Sequence, residues 1–435
     1  ADGDWSSDVC SSDLKYADAA EREHIYYKVT AEHEKNLDYD SWASKSFFID
    51  AKSPLGHTMY DLSPSAQSEG VMGSGIPVYH LGGWFDGFTR GSFELYCTWN
   101  KTNPSKLSML PAYHSLTDGP FWQHFGHDIE EVREGFLEEH LRFFDRYLKG
   151  IRNGIDTEGP LCLYVMNGGG WRMEREWPLA RAEERDLYFD GGNALSWSRA
   201  ENGRDEYKVD YGHNSSYGEN NGNRWTGIGG NEPRTPPYRT NKASQCLVYT
   251  SKALETPLEV TGHPVVRLWV SSSEAYGDFF VYLEDVAPDG ESLLVTEGML
   301  RAGFAGLRDN DRMIKGGTTD IEVLPELPWH GYEKADYEER ILADGNAIEL
   351  VIDFAPTSWV FRTGHRIRVS IAGSDYPSFR LHPRLSPEND PTAESTVAPV
   401  VTVFRNPERP SRILLPVIPR SEERRVGKEC IVKCR

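Results

Sequence analysis

Residues Ile76-Pro77-Val78-Tyr79-His80-Leu81-Gly82-Gly83-Trp84-Phe85-Asp86 decide the fold of this chain. A short apolar run stops at a glycine pair, after which Phe88, Leu95, Tyr96 and Trp99 recur at roughly helical spacing. That pattern predicts a buried strand, a sharp turn and a helix. A second apolar segment, Leu107–Tyr113, ends at His114. Strand, helix and strand make a parallel pair, so Asp86 and His114 are expected just past the carboxyl ends of neighbouring strands. Open α/β sheets build their sites at that edge. An aspartate that orients an imidazole, and the imidazole as general base, are two members of a nucleophilic triad. The order Asp then His is the one that α/β-hydrolases use.

The segment Gly82-Gly83-Trp84-Phe85-Asp86-Gly87-Phe88, with a histidine 28 residues after the aspartate, resembles the cocaine-esterase and X-prolyl dipeptidyl-peptidase (CocE/NonD-type) family of serine hydrolases. The likeness covers about residues 40–419. Phe143-Phe144-Asp145-Arg146-Tyr147-Leu148-Lys149-Gly150 resembles the family's last hydrolase-domain helix. Leu163-Tyr164-Val165-Met166, Trp171-Arg172 and Glu176-Trp177-Pro178-Leu179 resemble its exit toward the next domain. Trp269-Val270-Ser271-Ser272, Asp285-Val286-Ala287-Pro288-Asp289-Gly290 and Gly364-His365-Arg366-Ile367-Arg368 resemble its jelly-roll domain.

The resemblance implies an α/β plus all-β chain, the C-terminal part of an α/β-hydrolase domain followed by a jelly-roll β-sandwich. It implies hydrolysis of acyl esters or amides (esterase, acylase or X-Pro dipeptidyl-peptidase-like) without a cofactor. Asp86 would be the triad aspartate and His114 the base, with Phe88 and Trp84 at the substrate. Where the family has a Gly-Pro-Trp-type segment before the histidine, this chain has Leu110-Pro111-Ala112-Tyr113. The branch acting on α-amino-acyl esters places acidic side chains close after the aspartate; Gly87-Phe88-Thr89 supplies none, which favours neutral or aromatic acyl groups. The nucleophile of such an enzyme sits on a G-x-S-x-G elbow, and these 435 residues contain none. Gly73-Ser74-Gly75 lacks the spacing. The serine and its oxyanion donors are therefore expected outside this sequence, and the chain alone is expected to be inactive.

Composition narrows the partners. At 38% apolar and 12% aromatic the chain can build sizeable cores, and its formal charge is −20. That charge disfavours nucleic acid and anionic membrane surfaces, which need clustered Lys and Arg. No run of about 18 apolar residues is present to span a bilayer. The expected partner is a small ester or peptide substrate, with a homo-oligomer also open. Residues 1–14 and 421–435 resemble translated adapter sequence and are set aside. That leaves Cys97, Cys162 and Cys246, which by number and spacing fit neither a disulfide framework nor a zinc site.

Residues 15–70 read as the tail of a helical cap and 71–160 as the end of the hydrolase domain. From Ile129 to Leu148 apolar residues recur in three- and four-residue steps, an amphipathic helix packed on the sheet and stopped at Lys149-Gly150. Residues 161–245 read as a connection; its Gly-, Asn- and Ser-rich part from 188 onward is expected to be irregular. From 246 to 420 the period is two, with a hairpin at Pro288-Asp289-Gly290. His80 is expected to be a buried histidine with its polar atoms satisfied. His124-x-x-His127 lacks the third ligand of a metal helix. The rival reading is a non-catalytic jelly-roll module for carbohydrate binding or adhesion.

Overall fold

The computed structural model describes residues 19–34, 36–43, 46–117, 120–199, 202–216, 222–308, 324, 326–382 and 398–419. The adapter-like segments 1–14 and 421–435 lie outside the described residues. The chain divides into two compact units, Ala1–Leu62 and Ser63–Arg435. In the first, helices α1 (Ala19–His33) and α2 (Tyr39–Ala43) are described. Tyr26, Tyr27 and Val29 of α1 are exposed.

The second unit begins with α3 (Ser68–Ser74), which ends at Gly75 in the left-handed region where a side chain would be strained. The strand then runs as β1 (Val78–Gly83), helix α4 (Thr89–Trp99) crosses over, and β2 (Ser105–Leu110) returns parallel to β1 in the register Val78 to Ser105 and Gly83 to Leu110. After the short helix α5 (Pro120–His124) and the long α6 (Ile129–Lys149) come β3 (Leu161–Val165), parallel to β2, and β4 (Gly170–Glu174), antiparallel to β3. The sheet order is β1-β2-β3-β4. Among the described residues β1 pairs on one side only.

Helix α6 starts where Asp128 accepts from the backbone N–H groups of Glu130 and Glu131, and it stops at Gly150 in a left-handed cap. Its extent and its stop match the sequence reading, and it packs on the sheet, but only part of its apolar set is covered. Val132, Gly135, Glu139 and Phe143 face inward, and the Tyr79 hydroxyl donates to Glu139 at 2.8 Å. Leu137, Leu141, Phe144 and Leu148, at 68, 58, 49 and 78% exposure, form a second apolar stripe away from the sheet. Periodicity locates an apolar residue on a helix, but with apolar residues on two sides it does not say which side is covered.

The remaining strands are antiparallel but for one parallel pairing. They are β5 (Glu183–Asp190), β6 (Ala194–Ser196), β7 (Arg204–Lys208), β8 (Leu247–Ser251), β9 (Leu258–Gly262), β10 (Val265–Ser272) and β11 (Asp278–Val286), followed by β12 (Ser292–Arg301), β13 (Ile348–Asp353), β14 (Thr357–Phe361), β15 (Arg366–Ala372), β16 (Val400–Asn406), β17 (Arg409–Pro410) and β18 (Arg412–Ile418). Their main path is β12-β11-β15-β8-β6-β5-β18-β10-β16-β17. The β11–β12 hairpin turns at Gly290 with φ 94°, as the Pro-Asp-Gly signal predicted. Period-two burial in β10 and β15 gives the interior of a β-sandwich: Val266, Leu268, Val270, Ile367, Val369 and Ile371 are fully buried.

One sequence expectation is corrected here. The 161–245 stretch is not only a connection, because β3 and β4 complete the first sheet, while β5 and β6 join the sandwich and β7 pairs β16. Its polar composition hid β7, whose residues alternate between solvent and partial burial. Cys97 and Cys246 are free thiols, whereas Cys162 is disulfide-bonded. No described helix is long and apolar enough to cross a membrane.

The two sheets of this unit are tied together. Met166, after β3, exchanges backbone hydrogen bonds with Ser358 and Val360 of β14. Asn167 donates to the buried Asp285 carboxylate at 2.9 Å, and Arg172 of β4 pairs with Glu259 of β9. Arg90 of α4 pairs with Asp353 at the end of β13.

Candidate active site

The site begins with a close approach of backbone. The N–H of Trp84 donates to the Leu110 carbonyl at 2.9 Å and that of Phe85 to Ala112 at 3.0 Å, which prolongs the β1–β2 pairing beyond both strands. A Cβ on Gly83 would press into the Ala112 and Tyr113 carbonyl oxygens, so only glycine lets the two strand ends run this close. The chain then turns. Asp86 N–H donates to Gly83 O at 3.1 Å, and the buried Thr89 hydroxyl reaches Gly83 O at 2.6 Å and Asp86 O at 2.5 Å.

This turn and the one after β2 bring Asp86 and His114 together. The Nδ1 atom of His114 lies 3.3 Å from both carboxylate oxygens of Asp86. Asp86 is buried, and its Oδ1 also accepts from the Phe88 N–H at 3.2 Å. The His114 side chain remains 43% exposed. A buried carboxylate holding Nδ1 leaves Nε2 as the atom able to exchange a proton with a reacting group.

Of the two expected substrate contacts, one is near the histidine and one is not. Phe88 is half-exposed, its ring 5.6 Å from the His114 ring in an edge arrangement. Trp84 is corrected: it is fully buried, stacked 5.6 Å from Phe93, with its indole N–H donating to Tyr164 O at 2.8 Å. Its place beside the aspartate in sequence concealed an inward side chain.

His80 is buried in β1 as expected, against the Trp99 ring at 5.4 Å, but its Nε2 has no hydrogen-bond partner. Burial among rings pushes its pKa down to about 4, which keeps the imidazole neutral. His127 Nε2 lies 2.9 Å from the Tyr164 hydroxyl, while His124 packs on Phe125. The described residues contain no group of three side chains able to hold a metal.

Sequence reasoning missed the contribution of residues 222–239. Asn223 caps helix α7 (Arg224–Ile228) through the N–H groups of Trp225 and Thr226. Arg224 Nη2 donates to the Trp84 carbonyl at 3.3 Å, and Arg224 Nε sits 3.2 Å from Glu297 of β12, both side chains almost fully buried. Ile228 packs so closely on Gly87 that a Cβ there would collide with it. Glu232 accepts from the Ser115 N–H, one residue after the histidine. The Asn-Gly-rich composition was read as an irregular connection, and nothing in it revealed the helix or its partners.

Comparison with known proteins shows what the chain as a whole is similar to. Residues 153–414 match the X-Pro dipeptidyl-peptidase C-terminal non-catalytic domain. The chain is 34% identical over 375 residues to a Mycobacterium bovis protein named a serine esterase, covering 82% of this chain and 52% of that one. It is 27% identical over 364 residues to the cocaine esterase of Rhodococcus sp., covering 81% and 58%. Among solved structures, an aminopeptidase from a marine sediment Thaumarchaeota archaeon superposes with a TM-score of 0.60 at 22% identity, covering 79% of this chain and 55% of that one. The chain thus spans about half the length of the curated relatives it matches.

Proposed function

Because this chain belongs to the cocaine-esterase and X-prolyl dipeptidyl-peptidase family of hydrolases, we propose that it supplies the acid–base half of a serine hydrolase acting on acyl esters or amides. Asp86 orients His114, and His114 takes the proton from a serine as it attacks the carbonyl and returns it to the leaving group. The observation that carries this reading is the placement of His114 Nδ1 at 3.3 Å from both oxygens of a buried aspartate, at the carboxyl ends of two parallel strands. Exposed Phe88 beside the imidazole supports a neutral or aromatic acyl group, and the antiparallel sandwich is read as the family's jelly roll.

The nucleophile and the oxyanion donors belong, in this reading, to residues outside this sequence, since no G-x-S-x-G elbow occurs in it. The test is nitrophenyl-ester hydrolysis and fluorophosphonate labelling of the 435-residue chain. No turnover above buffer and no labelled serine are expected. Turnover together with a labelled serine of this chain would overturn the assignment of the nucleophile.

A further inference from the structure

A second site lies on the sandwich, built by residues that take no part in the Asp86–His114 arrangement. Strands β5, β6, β8 and the start of β15 lie side by side, and with the loop after β8 they frame an open groove of about 810 Å3. That volume falls within the roughly 300–1,000 Å3 usual for small-ligand sites. None of the lining residues comes from the four-stranded sheet or from the helices packed on it.

The lining has an aromatic platform, on which Arg185 lies, and two cations without an ion pair, Lys252 and Arg366. Trp197 remains 40% exposed, although the Arg185 guanidinium lies 4.4 Å from its ring. An indole left half in water presents an apolar face with a polar edge. Beside it the Ser198 and Ser196 hydroxyls are 3.0 Å apart, either able to donate outward. The lining also holds Arg185, Lys252 and Arg366 together with Asp190 and Glu255. Among the described residues none of the three cations forms an ion pair, and Arg366 donates only to the Ser251 carbonyl at 3.3 Å. In a chain of formal charge −20, Lys252 and Arg366, two cations without an ion pair in one concavity, mark a place for a carboxylate-bearing ligand.

We propose that this groove binds an acidic oligosaccharide, one that carries uronic-acid carboxylates. The C–H face of a pyranose ring lies against Trp197, its hydroxyls meet Ser196 and Ser198, and its carboxylates meet Lys252 and Arg366. A neutral saccharide offers the first two interactions without the third.

The experiment is isothermal titration of the 435-residue chain with an oligogalacturonate and with a neutral cello-oligosaccharide of equal length. Binding of the acidic saccharide is expected, weakened at least about tenfold by Trp197→Ala and by Arg366→Ala, with the neutral one at least about tenfold weaker. Asp86→Asn is expected to bind as the parent does, so the result stands apart from the hydrolase reading. Absence of binding to the oligogalacturonate, unchanged binding by either groove variant while its circular dichroism is native, or equal binding of the neutral saccharide would overturn the proposal.

Discussion

Arg224 of helix α7 reaches from beside Glu297 of the sandwich to the carbonyl of Trp84, two residues before the candidate catalytic aspartate. The sandwich therefore holds the turn that carries Asp86, through one buried guanidinium. Removing it as Arg224→Ala leaves Glu297, already raised in pKa by desolvation, without its partner. A loss of about 3–5 kcal/mol in denaturant unfolding is expected. Arg224→Lys keeps the charge but not the fork, and should lose less.

Gly83→Ala is expected to lower stability by about 1–3 kcal/mol, because the added methyl meets backbone rather than a movable side chain. Gly82→Ala, whose Cβ would meet the Met109 thioether and the Ser92 hydroxyl, should cost less. Thermal melts of the two variants side by side give the comparison. Equal losses would mean that the approach of β1 to Ala112 is not a constraint.

Three buried histidines give the chain an acid sensitivity with a definite sign. Desolvation lowers His80 and His213 to about 4 and His263 to about 3, with Arg239 adding to the shift of His213 and Arg90 to that of His263. In the unfolded chain each returns to about 6.5. Between those values the unfolded state binds more protons, so stability rises with pH. The contribution is whole above about pH 6.5 and is lost as pH falls toward the folded values, each group adding at most about 1.4 kcal/mol per pH unit. The urea midpoint should fall below pH 6.5, and His80→Phe should make that fall shallower.

The second apolar stripe of α6 predicts binding of a hydrophobic dye by the folded chain. Leu141→Lys with Leu148→Lys should reduce the dye fluorescence while shifting stability by no more than about 0.5 kcal/mol per substitution, as for exposed positions. A large loss of stability would show that these leucines are covered in solution.

How much of this was legible in the sequence follows from how local each signal is. The run ending at Gly82-Gly83, the step to His114, the stop of α6 at Gly150, and the Pro-Asp-Gly hairpin all rest on neighbours in the chain, and the structure keeps each of them. Asp86 and His114 could be paired because parallel strands bring their carboxyl ends to one edge. Arg224 and Glu232 could not be found, since each acts on a residue more than a hundred positions away. The strand β7 and the inward Trp84 were hidden for a related reason: burial is decided by partners across the sheet, and composition reports only what a segment carries itself.

The central claim is that Asp86 acts on catalysis through His114. Its most direct test is steady-state ester hydrolysis by a protein that joins this chain to the serine-bearing region expected from its relatives, comparing the parent with Asp86→Asn and His114→Ala. The account predicts a fall in kcat of about 10³–10⁴-fold or more for each, with little further loss when the two are combined. Near-parental kcat in either single variant would contradict it.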